Sequence, residues 1–517
     1  MGELNFTDED LGLITTPKLT VEYMISRLRD ISDNEIILDP CVGPGIFIEK
    51  LLNTDDINPE QIIAYDINPV YKSQIEKLGV TFKVKDTLLS LKPTDRNSFD
   101  YIIGNPPYLN KSSAYIRENK NKLKEIYGDI NAHETYAMFL VNSIWRLKEG
   151  GKLCFITSDS FLTLRTHRRL RDFILKHCKI KEILLAPEDL FLKQSVNTFP
   201  AIITLQKCTG IENSKIRREH RMKIIPRIDN EDKYNNPQKV NRYHQNKYHH
   251  LPFSLFAIDI EEEIIDLFEK ASQLDEFLKG YIGMHTHNNL EHIAAIEGTH
   301  LAEIFKKRNK RRKKSKRKYK LIPREDLKSG LWKPYLKRGG NAQYYRPVLE
   351  GLEWDKESIK QYDIPKRAPF EKEGIVISGV SSRLAARYMP PGCYWDSNKA
   401  MGFIIRDQRI SIKYCLGVLN SSLYNYLAKG IINNTSSIQI TGIRALPFLL
   451  PNTQVKEEIE SLVGRIIEKK KENLNYDYFQ EQKQIDDIIY EFYDNKFNFP
   501  RALKTKLDTE FAIYSQN

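Results

Sequence analysis

A short apolar run, EIIL (Glu35 to Leu38), passes directly into DPCVGPGIF (Asp39 to Phe47), and this junction restricts the fold more than any other segment. The run reads as a buried strand and the glycines as a tight turn. Ile46, Phe47, Ile48, Leu51 and Leu52 then recur at helical spacing. Strand, glycine-rich turn and helix make the first unit of a doubly wound α/β sheet. The strand pattern returns three times downstream: IIAYD ends on Asp66, VTFKVKD on Asp86, and FDYIIG leads into Asn105. Ligands of such sheets bind outside the carboxyl ends of the strands, so these four polar residues mark a site. The expected fold class is α/β, with a doubly wound Rossmann-like domain over residues 1–210.

The turn also says which ligand fits. A dinucleotide site requires Gly or Ala three residues after Gly45, where the helix meets the pyrophosphate, and Ile48 stands there instead. S-adenosylmethionine carries a ribose but no phosphate, and a Gly43-Pro44-Gly45 turn suffices for its methionine end. Asp66, about 20 residues beyond the turn, suits a ribose diol. Asp86 suits the adenine amino group.

Asn105-Pro106-Pro107-Tyr108 follows the fourth strand. An exocyclic amine such as N6 of adenine is a poor nucleophile, because its lone pair is delocalised into the ring. Drawing that nitrogen towards tetrahedral geometry requires an acceptor for each of its hydrogens. The Asn105 side-chain oxygen can supply one and the Pro106 carbonyl the other. Consecutive prolines fix φ near −65° and restrict the preceding residue, which preorganises both acceptors. Tyr108 offers a face for a stacked base.

In this order the motifs resemble the adenine-N6 DNA methyltransferases of the gamma motif order, in which the cofactor motifs precede Asn-Pro-Pro-Tyr. The resemblance spans roughly residues 10–207. It implies that Thr16 and Pro17, within GLITTPKLTVEYM (Gly12 to Met24), meet the methionine moiety. It further implies that Asp39, Gly43, Gly45, Asp66 and Asp86 hold S-adenosylmethionine. Residues Glu134 to Leu162 match the middle motifs, and EDLFLKQSVNTFPAIITLQK (Glu188 to Lys207) the last one. There an aromatic residue sandwiches the flipped base against Tyr108; Phe191 aligns best, with Phe199 in reserve.

The chain's 517 residues predict more than one domain. Six scattered cysteines without a C-x-x-C pair indicate neither a disulfide framework nor a zinc site, and no metal is expected. No signal peptide opens the chain, and no apolar stretch approaches the roughly 18 residues needed to span a bilayer. A reduced, cytoplasmic setting is expected. The net charge is +12, and KKRNKRRKKSKRKYK (Lys306 to Lys320) alone holds twelve basic residues and no acid. So dense a block repels itself and is expected to be an unstructured arm that binds phosphates. Lys306, Lys307, Arg308, Arg311, Arg312, Lys313 and Lys314 are its candidate DNA contacts.

The polar stretch 211–250, with His220, His244, His249 and His250, reads as a linker whose histidines are solvated. Residues 251–450 are expected to form an α+β domain, opening with an amphipathic helix over Glu261 to Leu278. Its basic residues are interleaved with Trp and Tyr, as a nucleic-acid surface requires. This part resembles, more weakly, the target-recognition domain of the same methyltransferases, from which the basic insertion 306–320 departs. Residues 451–517 read as a C-terminal helical region.

Together these readings imply a site-specific methyltransferase acting on double-stranded DNA, the modification enzyme of a restriction–modification system whose cognate endonuclease is encoded separately. The chain begins almost at the cofactor motif, which leaves no expected room for a fused N-terminal nuclease. Alternatives sharing the tetrad are RNA-adenine and protein-glutamine N-methyltransferases, and the methylase part of a phage-exclusion system. A DNA-binding protein with a retired methyltransferase fold is the rival of another class.

Overall fold

Alternation of apolar strands with short helices builds a nine-stranded sheet from the first half of the chain. The computed structural model describes residues 12–513, apart from 29–30, 55–56, 132, 195–197, 313–314, 316 and 434–436. Lys313 and Lys314 therefore lie outside the described residues. The chain divides into two units, Met1–Ile260 and Glu261–Asn517.

The strands of the first unit are β1 (Ile37–Asp39), β2 (Ile62–Asp66), β3 (Thr81–Val84), β4 (Phe99–Gly104), β5 (Leu147–Ser158), β6 (Cys178–Leu185), β7 (Pro200–Lys207), β8 (Arg221–Ile225) and β9 (Asn241–His244). Their order in the sheet is β3-β2-β1-β4-β5-β7-β6-β8-β9. From β3 to β5 all neighbours are parallel, and β7 then runs antiparallel between β5 and β6. The chain lays β2 and β3 on one side of β1 and returns to place β4 on the other. A crevice opens where the order reverses, at the carboxyl ends of β1 and β4. Helices Lys18–Ile25 and Ile46–Leu51 contribute Val21, Met24, Phe47, Ile48 and Leu51 to a core shared with Ile37, Ile62, Ile103 and Ile156. Burying these side chains fully stabilises the unit by about 1.5–3 kcal/mol each.

The expected linker 211–250 is instead folded. It supplies β8, parallel to β6, and β9, antiparallel to β8. Met222, Ile224, Ile225, Tyr243 and Tyr248 are buried, as is Gln245, which accepts from the Ile180 amide (2.8 Å) and donates to the Cys178 carbonyl (2.8 Å). His220 and His244 bond to the carbonyls of Ile180 and Glu219. Edge strands bury one face only, so alternate polar residues masked the apolar period. The first unit therefore extends to Ile260.

The second unit has α+β character. Its strands are β10 (Ser272–Gln273), β11 (Leu278–Tyr281), β12 (Ile293–Ile296), β13 (Lys320–Ile322), β14 (Trp332–Leu336), β15 (Glu350–Glu353), β16 (Gly374–Ser378), β17 (Ala386–Met389), β18 (Tyr394–Trp395), β19 (Ala400–Ile405) and β20 (Pro447–Phe448). They form sheets ordered β11-β19-β16-β17 and β13-β12-β15-β14-β18, and a ribbon of β10 with β20. Trp395, wholly buried, packs over Gly402, where a Cβ would lie 2.3 Å from the indole. The helices Thr453–Glu472 and Phe479–Phe497 bury Ile459, Leu462, Val463, Ile466, Ile485 and Ile489. The expected helix Glu261 to Leu278 is two helices, Glu262–Lys270 and Leu274–Phe277. They are separated at β10, where Gln273 and Glu276 form a capping box.

The described residues of the basic run are folded as well. Its first half completes the helix His300–Arg311, capped by Thr299, and Lys320 opens β13. Leu301, Ala302 and Phe305 anchor that helix in the core, which pattern reading from Lys306 onward does not include. Asn309 clamps Tyr319 through both backbone groups (2.8 and 2.9 Å), and Arg308 and Arg312 lie over the Tyr319 ring.

Candidate active site

Three polar strand ends line one cleft. Asp66, Asp86 and Asn105 face it, with Gly12, Leu13 and Ile14 on one wall and Tyr71, Leu88, Leu109 and Phe139 among its apolar groups. The open volume is about 690 Å³, its mouth included. The turn after β1 shapes the floor. Gly43 (φ +51) donates its amide to the Asp66 carboxylate (2.8 Å), and Asp66 also accepts from the Asn68 amide (2.8 Å). Gly45 has φ +94, and a Cβ there would lie 2.4 Å from Ile75 Cδ1, so only glycine fits.

Asp39 lies beneath the cleft rather than in its wall. It is 0% exposed; one carboxylate oxygen accepts from the Cys41 amide (3.1 Å) and the other is buried without a partner among the described residues. Burial pushes its carboxyl up to about 8. The folded chain therefore holds a proton that the unfolded chain releases near pH 4. This contribution to stability is complete below about pH 4 and is lost as pH rises towards 8. We expect Asp39→Asn to flatten that fall, read as Tm against pH for both proteins.

Asp86 is already engaged: it accepts from the Leu88 and Leu89 amides and from the Tyr115 hydroxyl (3.0–3.1 Å), and burial raises its carboxyl. Lys85, the one basic side chain of the cleft wall among the described residues, is committed to Asp95 at 3.0 Å. Among the described residues no other cation lines the cleft to balance a phosphate.

Asn105 is oriented from a distance. Its Nδ2 donates to the Ile14 carbonyl (3.0 Å) and to Thr16 Oγ1 (3.1 Å). A carbonyl can only accept, so the amide cannot be flipped, and Oδ1 must point the other way. That oxygen is buried and has no partner among the described residues. Thr16, expected at the methionine moiety, instead holds Asn105, and Pro17 precedes the helix Lys18–Ile25; neither lines the cleft. Thr135 braces the tetrad from the other side, its hydroxyl on the Pro107 carbonyl and accepting from the Leu109 amide (2.9 Å). Pro106 is a buried residue, and its carbonyl receives no hydrogen bond among the described residues.

Tyr108 is partly buried, and its hydroxyl has no partner among the described residues. Its ring meets Tyr136 and Phe191 edge to face, at 6.2 and 6.3 Å between centroids. Phe191 is thus brought to Tyr108, but it is 0% exposed and inclined by 64°, so a planar ring can enter between them only if Phe191 swings. Phe199 is 48% exposed and sits under Arg227, in no ring contact with Tyr108. Sequence reading missed Ile14, Thr135 and Tyr136. Their roles come from contacts 91 and 28 residues apart along the chain, and no local pattern signals them.

In the second unit a basic cleft is lined by Arg308, Lys337, Arg338, Lys399 and the Gly339-Gly340 backbone. Buried Arg387 and half-buried Arg346 each donate to the Arg338 carbonyl (2.8 and 2.7 Å), and Glu350 pairs with Arg338 at 2.8 Å. The loop carrying Lys337 to Gly340 is thereby held in place.

Sheet order, switch-point cleft and the braced Asn-Pro-Pro-Tyr turn define a methyltransferase fold followed by a separate α+β unit. Residues 43–191 match the family model of the Eco57I restriction-modification methylase, and residues 335–448 that of the TaqI-like C-terminal specificity domain. The methylase match thus precedes the specificity-domain match along the chain. Among curated relatives, the type II methyltransferase M.HincII of Haemophilus influenzae is 29% identical over 210 residues, 40% of this chain and 39% of that protein. M.BstVI of Geobacillus stearothermophilus is 27% identical over 259 residues, 42% of this chain and 46% of that protein. The chain thus spans less than half the length of these relatives. The type IIL restriction-modification enzyme MmeI, solved in complex with DNA, shares the fold, with a TM-score of 0.54 and 11% identity over 96% of this chain and 76% of that one. No helix among the described residues is long and apolar enough to cross a membrane.

Proposed function

We propose that the chain is an S-adenosylmethionine-dependent, site-specific DNA adenine-N6 methyltransferase, the modification enzyme of a restriction–modification system. One observation carries the reading: a buried asparagine oxygen without a partner among the described residues, held by two bonds on the opposite side of its own amide and followed in the chain by a proline whose carbonyl receives no hydrogen bond among them. A buried acceptor left unpaired costs about 1–3 kcal/mol, and an amino hydrogen arriving at Oδ1 removes that cost.

The cleft suits the cofactor. Asp66 can take a ribose diol, the glycine turn admits a close backbone approach, and among the described residues no free lysine or arginine of the cleft awaits a phosphate. When bound, S-adenosylmethionine supplies an activated methyl group. The rest of the work falls to the chain. Asn105 Oδ1 and the Pro106 carbonyl accept the two amino hydrogens, drawing the nitrogen lone pair out of conjugation and aiming it. Tyr108 holds the ring face after the adenine leaves the duplex, which costs a few kcal/mol of unstacking. Methylation makes the nitrogen acidic, so its proton departs to water without a dedicated base. Positioning therefore supplies most of the acceleration.

The helix His300–Arg311 presents Lys307, Lys310 and Arg311 to solvent, and among the described residues none forms an ion pair. With Lys306, Arg308, Arg312 and the basic cleft it forms a preorganised surface for DNA phosphates. Replacing Lys307, Lys310 and Arg311 together by Gln should lower the slope of log affinity against log salt by about 2.7. Fluorescence anisotropy with duplex DNA at several salt concentrations measures this, and an unchanged slope removes the helix from the interface.

Long-read sequencing of DNA from an unmethylated host expressing the chain tests the proposal as a whole. One fully modified N6-methyladenine motif is the expected result. Absence of any modified motif overturns the reading and turns attention to RNA and protein acceptors.

A further inference from the structure

In the second unit, the loop after β11 (GMHTHNN, from Gly283) places His285 and His287 beside Asp363, and ligand atoms of all three lie within 4.8 Å of one another. Among the described residues it is the one group of three His, Cys, Asp or Glu residues so gathered. We infer that this cluster is a binding site for a borderline divalent cation of the Zn²⁺ or Ni²⁺ class, on the face of the specificity unit.

Three features argue for a built site. The backbone joins the two segments: His285 and Asp363 exchange both of their backbone hydrogen bonds (3.1 and 2.9 Å), so the ligand-bearing Cα atoms are paired. His287 has φ +54, an unusual conformation for a non-glycine residue, and its ring meets that of His285 at 4.5 Å. That turn brings the His287 Nε2 to 2.8 Å from an Asp363 carboxylate oxygen. The His285 Nδ1 accepts a long 3.3 Å bond from the His287 amide, which ties the two histidines of the turn together. All three side chains are exposed, so an ion can reach them.

Two imidazoles and one carboxylate select zinc, nickel or copper over magnesium and calcium, which prefer all-oxygen shells. A divalent ion would bond one nitrogen of each imidazole and one Asp363 carboxylate oxygen. Water completes the coordination. The bound ion would tie the loop at His285 to Asp363, which lies within the matched specificity region while His285 does not.

The test is calorimetric titration of the full chain with Zn²⁺ and with Ni²⁺. One ion per chain is expected, together with a rise in Tm. His287→Ala and Asp363→Asn should each weaken binding at least about tenfold, in keeping with loss of one ligand from a three-residue set. His285→Gln should do the same, and the paired variant His249→Ala/His250→Ala should bind as the parent does. The substituted side chains are exposed, and equal Tm values of parent and variants in chelator establish that folding is intact. Binding that survives His287→Ala, or that disappears with His249 and His250, overturns the assignment. Tight competition by Mg²⁺ does so too.

Discussion

Asn105→Ala should lower kcat by about 10²–10³-fold, the usual effect of deleting one preorganised polar group from a transition-state site. The substitution removes the acceptor for one amino hydrogen and also the two bonds to Ile14 and Thr16. Two companion variants separate these effects. Thr16→Val keeps Oδ1 but deletes one of its orienting bonds, and a net hydrogen bond of about 1 kcal/mol predicts a loss near fivefold. Asn105→Asp keeps an oxygen towards the substrate but sets a second one against the Ile14 carbonyl. It should therefore be as inactive as Asn105→Ala. Single-turnover methylation measures the step directly. Activity of Asn105→Asp close to the parent's would mean that the strap from Ile14 does not orient the amide.

Tyr108 should show a sharp split between two substitutions. Its hydroxyl has no partner among the described residues, so Tyr108→Phe is expected to retain activity. Tyr108→Ala removes the stacking face, worth about 1–3 kcal/mol per base, and should weaken capture of an extruded adenine by roughly 5–150-fold. A 2-aminopurine at the target position reports that capture as fluorescence on binding. Tyr108→Phe as damaging as Tyr108→Ala would assign the role to the hydroxyl and not to the ring. The opposite ring demands more care. Phe191 is wholly buried, and truncation to Ala costs the core about 3–5 kcal/mol whatever it does to the base. Phe191→Leu keeps most of that packing and loses only the aromatic face, so it is the informative variant.

Much of the first unit was legible because its signals are local. EIIL followed by DPCVGPG reads as strand and turn from ten or so neighbouring residues, and so does each strand tip carrying Asp66, Asp86 or Asn105. The polar stretch 211–250 was illegible for a physical reason: β8 and β9 bury one face near the sheet's edge, and a linker-like composition conceals that half-pattern. The basic run misled for a related cause. Mutual repulsion among its charges is real, but Leu301, Ala302 and Phe305, just upstream, dock the helix and outweigh it. Histidine reading went to the rich tract 220–250 and passed over His285 and His287. Their third partner, Asp363, lies 76 residues from His287.

Sequence alone marked the candidate groups: the proline-restricted tetrad, the glycine turn with Ile48 where a dinucleotide site wants Gly or Ala, and acidic residues on successive strand tips. Backbone sterics and short-range periodicity carry that information, and both act between neighbours. Only the tertiary structure decided how those groups are employed. It turned Asn105 by contacts 91 and 89 residues away, withdrew Asp39 beneath the cleft, occupied Asp86 with Tyr115, and brought Phe191 edge-on to Tyr108. Orientation and desolvation arise where distant segments pack together, and no local pattern records them.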